Sequence, residues 1–264
     1  MTAEISSGAQ FRRFPCCGIP IDAASLADAA DAVIVRALSR RPGAVHLCNA
    51  YTLSLASKDE QLASCLRGGT FNFPDGMPLV WIGRRRGALL DDRVYGPDLM
   101  AETFDRGRAS DLRHYLYGST PEVIAALEQN LVSRFPGAQV VGAESPPFRE
   151  LEPQELDDLV SRLRDSDADV VWVGLGTPRQ DRFAAEMSTR IDRTFVAVGA
   201  AFDFHAGTLR QAPPWMQKRG LEWAYRLYRE PRRLWRRYLI GNVRFVIVAL
   251  RNRTADQLAG GLTP

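Results

Sequence analysis

Cysteine and histidine are scarce in this chain: four of one (Cys16, Cys17, Cys48, Cys65) and three of the other (His46, His114, His205) among 264 residues. Cysteines so few and so irregularly spaced exclude a disulfide scaffold or a zinc knuckle, and adjacent Cys16 and Cys17 are poorly placed to bridge each other. Three histidines leave little material for a histidine-built metal site. No unbroken apolar run approaches the ~18–20 residues of a membrane span. The run from Val243 to Leu250 is far too short and is interrupted by Arg244. The segment Met1 to Gln10 is polar, and no secretory leader is visible. The full Gly-x-Gly-x-x-Gly fingerprint and the Walker loop are both missing, which argues against a standard dinucleotide site, a nicotinamide oxidoreductase or an ATPase. No Asp-x-Asp metal motif is recognisable at the carboxyl end of a strand. The sequence therefore reads as a soluble, intracellular protein with reduced thiols, without a metal or cofactor.

What is present is an ordinary globular composition, 45% hydrophobic and 25% charged, in a length suited to one or two domains. The net charge of +3 conceals an asymmetry. Between Met216 and Arg253 stand eleven basic residues against Glu222 and Glu230, a local charge of +9 that leaves −6 for the rest. Trp215, Trp223, Trp235, Tyr225, Tyr228 and Tyr238 are interleaved with those arginines. Aromatic residues prefer an apolar–water boundary while arginine reaches toward phosphate. Such a tail suits an anionic membrane, a nucleic acid or an acidic partner, or packs on the body as a solvated helix. The composition shift near Pro213 predicts a body over residues 1–212 and an appendage over 213–264.

Along the body, Phe14–Ile21 reads as a short extended segment or a hairpin, kept at an edge by Pro15 and Pro20, and hydrophobic spacing predicts a helix over Ala23–Leu38. A strand at Ala44–Cys48, one helix over Ala50–Leu66, a strand at Phe71–Phe73 and a helix opening at Gly76 follow. Further on, strands at Arg113–Tyr117, Ala138–Val141, Val170–Val173 and Thr194–Val198 alternate with helices at Pro121–Phe135, Pro153–Asp165 and Arg179–Arg190. That alternation predicts an α/β fold: a Rossmann-like parallel sheet covered by helices, with a basic helical C-terminal appendage.

In open parallel sheets, ligands bind beyond the carboxyl ends of the strands. Asn49, the Pro74-Asp75-Gly76 turn and the runs Gly174-Leu175-Gly176-Thr177-Pro178-Arg179-Gln180 and Gly199-Ala200-Ala201-Phe202-Asp203 all follow predicted strands. Glycines let backbone N–H groups approach phosphate, and the next helix start favours anions. These turns suit a nucleotide-like ligand. Asp75 is either a turn aspartate or a general base at a cleft rim; Asn49 is a helix cap or a sugar partner. Arg93 is a surface charge or a clamp on an anion. His46 and His205 sit beside apolar residues and read as core or supporting groups. Gln180 and Asp203, in adjacent glycine-rich loops, are expected to line the nucleotide pocket, unless Asp203 caps the turn that follows it.

Several strings carry a resemblance: Asn49-Ala50, Pro74-Asp75-Gly76, Arg93-Val94-Tyr95-Gly96-Pro97-Asp98-Leu99, Gly174 to Asp181, Val198 to Gly207, Gly220 to Leu227, Glu230-Pro231 and Arg237-Tyr238. In number, order and spacing they resemble the WecG/TagA/CpsF family of bacterial glycosyltransferases, from about Phe14 to Leu250. The resemblance implies inverting, metal-independent transfer from a UDP-sugar (N-acetylmannosamine, N-acetylmannosaminuronate or glucose type) to a polyprenyl-diphosphate-linked saccharide. The implied setting is cell-wall or exopolysaccharide assembly at the inner membrane face, with the protein peripheral there. It places the base on Asp75 and pocket residues on Asn49, Arg93 and Gln180. Gly176, Gly199 and Asp203 join them from the strand-end loops, and Arg226, Arg233 and Arg237 are offered by the appendage. Two positions depart from the family pattern: Leu47 stands where threonine is frequent, and Gln211 where Arg-Ala-Pro usually begins. Both bear on the sugar or acceptor rather than the reaction. No nucleic acid is expected as partner, and a homo-oligomer is left open. The alternative is a non-catalytic nucleotide- or nucleic-acid-binding module that grips phosphate with the basic tail, with salt-sensitive binding indifferent to Asp75.

Overall fold

The computed structural model describes residues 10–252. The hairpin consists of β1 (Arg13–Cys16) and β2 (Ile19–Asp22), joined by Cys17 and Gly18 with φ of 56° and 76°. Positive φ at both central residues is the two-residue turn that matches strand twist. The buried Asp22 carboxylate accepts from the Asn72 N–H (2.7 Å) and from Arg13 (2.7 Å), which docks the hairpin beside the main sheet.

Six parallel strands form that sheet in the order β4-β3-β8-β7-β5-β6. They are β3 (Gly43–Cys48), β4 (Phe71–Pro74), β5 (Arg113–Gly118), β6 (Gln139–Glu144), β7 (Val170–Gly174) and β8 (Thr194–Ala197). The α/β, Rossmann-like expectation is met. The central strands are buried on both faces because helices cover both sides. α1 (Leu26–Leu38), α5 (Gly96–Gly107) and α6 (Pro121–Arg134) enclose one core around Trp172, Phe104 and Leu116. α7 (Pro153–Asp165) and α8 (Arg179–Arg190) enclose a second around Phe195 and Val171. His114 is buried in the first core, stacked 3.8 Å from Phe104 and accepting from the Trp172 indole N–H at 3.1 Å. Burial pushes its pKa down to about 3, so it stays neutral.

Two expectations need correction. The single helix over 50–66 is two, α2 (Ala50–Ala56) and α3 (Glu60–Arg67), because Asp59 turns out of the helix and caps the Leu62 N–H at 3.0 Å. α5 has no counterpart in the sequence reading, which assigns no element there; Pro97 fits its first turn, where proline is tolerated.

After the short helix α9 (Ala201–His205), the C-terminal segment contributes α10 (Pro214–Lys218), α11 (Glu222–Arg229), α12 (Pro231–Trp235), a π-helical turn (Arg236–Ile240) and α13 (Gly241–Arg251). These helices are not detached from the body. Leu234, Tyr238 and Phe245 are buried, and Phe245 joins a third core with Leu53 and with Leu79 of α4 (Met77–Arg85).

Gly118 shows how tightly the strand ends are set. Its φ is +138°, and a Cβ there would stand 2.6 Å from the Gly174 backbone. Gly118→Ala is expected to destabilise by about 1–3 kcal/mol through backbone strain, before the clash is added. Urea unfolding would test this, and an unchanged midpoint would refute it.

Candidate active site

A cavity opens at the carboxyl ends of β4, β3, β8 and β7, which are consecutive in the sheet. Asp75 follows β4, and its N–H extends the pairing by donating to the Cys48 carbonyl (2.8 Å). Its side chain then turns into the cavity. Oδ1 accepts from the Gly96 N–H at the start of α5 (3.0 Å), and Oδ2 accepts from the Asn49 amide (3.3 Å). Burial pushes the Asp75 pKa up to about 6. Arg93 pulls it down, Glu222 pushes it up, and the Gly96 and Asn49 hydrogen bonds lower it.

Asn49 fills both roles considered for it. Its Oδ1 caps α2 by accepting from the N–H groups of Tyr51 (3.0 Å) and Thr52 (3.1 Å). Capping fixes the amide so that its N–H₂ faces Asp75. Arg93 is a clamp, though on protein carboxylate. Its Nη2 lies 2.7 Å from Glu222 Oε2 and 3.3 Å from Gln217 Oε1, and the guanidinium rests 4.0 Å above the Tyr95 ring. Burial disfavours its charge, but the Glu222 and Asp75 carboxylates outweigh that and raise its pKa.

Gln180, buried at the start of α8, accepts from the Gly176 N–H at 3.0 Å and stands 3.0 Å from where a Gly199 Cβ would be. Gly176 and Gly199 have φ of +75° and +55°, so glycine suits both turns. Gln180, Gly176 and Gly199 all line the cavity. Asp203 is not among the lining residues: on α9, its carbonyl accepts from the Leu209 N–H (3.1 Å) and the Thr208 hydroxyl (3.1 Å), and its Oδ1 lies 3.5 Å from that hydroxyl.

Arg226 of α11 lines the cavity, with its guanidinium 5.8 Å from the Phe204 ring centre. The backbones of Arg233 and Arg237 lie in α12 and the π-helical turn. Their side chains lie outside what the structure describes. Leu47 also lines the cavity, whereas Gln211 is exposed outside it.

His46 and His205 are supporting groups. His46 Nδ1 lies 3.0 Å from Asp181 Oδ1 beneath the α8 start, and His205 Nε2 lies 2.8 Å from the Pro97 carbonyl.

Sequence reasoning passed over Tyr51, Tyr95, Glu222, Trp223, Tyr238 and Asn242 as lining residues. Glu222 left one signal: it is one of only two acids in a strongly basic segment.

The Glycosyl transferase WecG/TagA/CpsF family model matches residues 14–258. Two curated relatives are named N-acetylglucosaminyldiphosphoundecaprenol N-acetyl-beta-D-mannosaminyltransferase. The one from Bacillus subtilis is 28% identical over 185 residues, 70% of each chain. The one from Bacillus spizizenii is 27% identical over 202 residues, 76% of each chain. A match of that extent removes the non-catalytic alternative, and with the strings on four neighbouring strand ends it leads to one assignment: the chain belongs to the WecG/TagA/CpsF family of glycosyltransferases.

Proposed function

We propose that this protein transfers a sugar of the N-acetylmannosamine, N-acetylmannosaminuronate or glucose type from a UDP-sugar to a polyprenyl-diphosphate-linked saccharide, with inversion and without a metal. The observation that carries the reading is the Asp75 carboxylate, held by Gly96 and Asn49 at the cavity wall with its basicity raised. In the proposed step an acceptor hydroxyl oxygen attacks the anomeric carbon and its proton passes to Asp75. The bond from that carbon to the diphosphate oxygen breaks, and UDP leaves with the electron pair. One carboxylate suffices because no covalent glycosyl-enzyme forms.

The departing diphosphate needs a counter-charge. Arg93 is already matched by Glu222, so among the described lining residues Arg226 is the cation left for that role. Its Nε is buried without a protein hydrogen-bond partner. A guanidinium stays charged and binds phosphate with a planar fork. Gly176 and Gly199 allow close backbone approach to the nucleotide, and Gln180 ties their loops together.

The lipid-linked acceptor class is the one in the relatives' names. Among the described residues no helix is long and apolar enough to cross a membrane. The tail nevertheless exposes Trp235, Leu239, Ile240, Val243, Val246, Ile247 and Leu250 beside its arginines. We place this surface, from about residue 213 onward, on the anionic inner face of the membrane.

A panel of UDP-sugars assayed with a short polyprenyl-diphosphate-linked N-acetylglucosamine tests the reaction. Transfer from none of them would reject it. The same assay gives a pH prediction. Asp75 acts deprotonated and its pKa is raised to about 6, so kcat/KM should be full above that value and fall as pH drops through it. A flat profile between pH 5 and 7 would count against Asp75.

A further inference from the structure

We infer that Glu222 is a positioning residue through which the C-terminal helices set the direction of Arg93 and the charge balance around Asp75. The inference rests on Asp75 acting as the base.

Glu222 opens α11 and is the only acid in that helix. It is 9% exposed, although a carboxylate is costly to bury unless it is paired. Both its partners come from the segment joining β4 to α5, far away in sequence. Oε2 lies 2.7 Å from Arg93 Nη2, and Oε1 accepts from the Tyr95 hydroxyl at 2.8 Å. Neighbouring α10 reinforces the grip. Gln217 accepts from Arg93 at 3.3 Å while its own amide donates to the Ala212 carbonyl at 2.7 Å. Arg93 is thus clasped by two C-terminal helices, and its ring contact with Tyr95 fixes the guanidinium plane.

The electrostatic consequence follows from counting charges. Asp75 feels two nearby charges, the Arg93 guanidinium that lowers its pKa and the Glu222 carboxylate that raises it, while only Glu222 makes the ion pair with Arg93. With Glu222 seated, the guanidinium is paired away from Asp75, and the second negative charge makes Asp75 a stronger base. Without Glu222, Arg93 would serve Asp75 alone and hold it ionised but weakly basic. Residues separated by 147 positions are therefore one unit, and the basicity that the proposed reaction needs is completed by the appendage. The other titratable groups around Asp75 are Cys48 of β3, Tyr51 of α2, Tyr95, Asp98 of α5, Arg226 of α11 and Tyr238. Tyr95 stays protonated, since burial and Glu222 both raise its pKa. Asp98 interacts electrostatically with both Arg93 and Glu222.

The test is Glu222→Gln, which keeps the side-chain size and an oxygen for the Tyr95 hydroxyl but removes the charge. The acid limb of kcat/KM should move about 0.5–1 unit toward lower pH. The plateau above pH 7.5 should fall about 2–10-fold, as a weaker base dictates. The donor KM should hold or drop, because Arg93 is released. A purely structural role would lower activity at every pH and leave the limb in place; that result overturns the inference. If Glu222→Gln does not fold by circular dichroism, Glu222→Asp, whose carboxylate is drawn back from Arg93, takes its place. It must show a smaller limb shift in the same direction, and an unmoved limb again overturns the inference. Asp75→Asn, run alongside, separates the two ideas. Loss of transfer in Asp75→Asn with an unmoved limb in Glu222→Gln removes only the Glu222 role, whereas full activity in Asp75→Asn removes the base itself.

Discussion

Asp75→Asn should fold normally and lose about 10²–10⁴-fold in sugar transfer, the usual cost of removing a general base. The amide can still accept from the Gly96 N–H, while its N–H₂ faces that of Asn49 and the 3.3 Å hydrogen bond there is lost. What disappears is the site for the acceptor proton. Stability should respond in the opposite sense to activity. The Asp75 pKa in the folded protein is raised above its ordinary value of 3.8, to about 6. Its contribution to stability is therefore fully present below pH 3.8 and lost as pH rises through about 6. The asparagine variant lacks that penalty, and at pH 7 its unfolding midpoint should match or exceed that of the wild type. Transfer at close to the wild-type rate, with the correct donor and acceptor, would remove Asp75 from the mechanism.

The second large effect concerns membrane attachment. Ending the chain before Leu234 should move the protein from the membrane to the soluble fraction. It removes Arg236 and the exposed Leu239, Val243, Val246 and Leu250. It also removes the buried Leu234, Tyr238 and Phe245, so a milder variant is needed beside it. Val246→Glu with Leu250→Glu alters only side chains that are 53% and 64% exposed. Each basic residue near an anionic surface contributes about 1 kcal/mol, and burying a Val or Leu side chain about 1.5–3 kcal/mol. The double variant should therefore lose at least about tenfold in partition to anionic vesicles while still folding. Unchanged sedimentation of both variants with such vesicles would refute the membrane assignment.

The parallel sheet was legible because its strands are nearly continuous apolar runs followed by glycine turns. The same punctuation pointed to Asn49, Asp75, Gly176, Gln180 and Gly199, which meet in one cavity because strand ends on one edge converge. Asp203 is not among them: it is the third residue of α9, with its carboxylate 3.5 Å from the Thr208 hydroxyl. Glu222 and Tyr95 were illegible because their meaning lies in a contact between distant segments. No spacing along the chain encodes an ion pair across 129 residues. The two Asp-x-Asp triplets between Asp165 and Asp169 illustrate the converse. They lie at the amino end of β7, on the sheet edge away from the cavity, where Asp167 and Asp169 pair with Arg40 and Arg113.

The strand order also governs how the molecule is made. β3 emerges early, yet one of its two neighbours in the sheet is β8, about 150 residues later. At roughly 5–20 residues per second, on the order of ten seconds separates the synthesis of Asp75 from that of Glu222. From the synthesis of Cys48 until that of Thr194 one edge of β3 has no partner, and an open strand edge is a template for misassembly. The nascent chain is therefore most vulnerable before β8 is made. A ribosome that stalls anywhere before Thr194 releases a product with an unpaired central strand as well as an incomplete cavity.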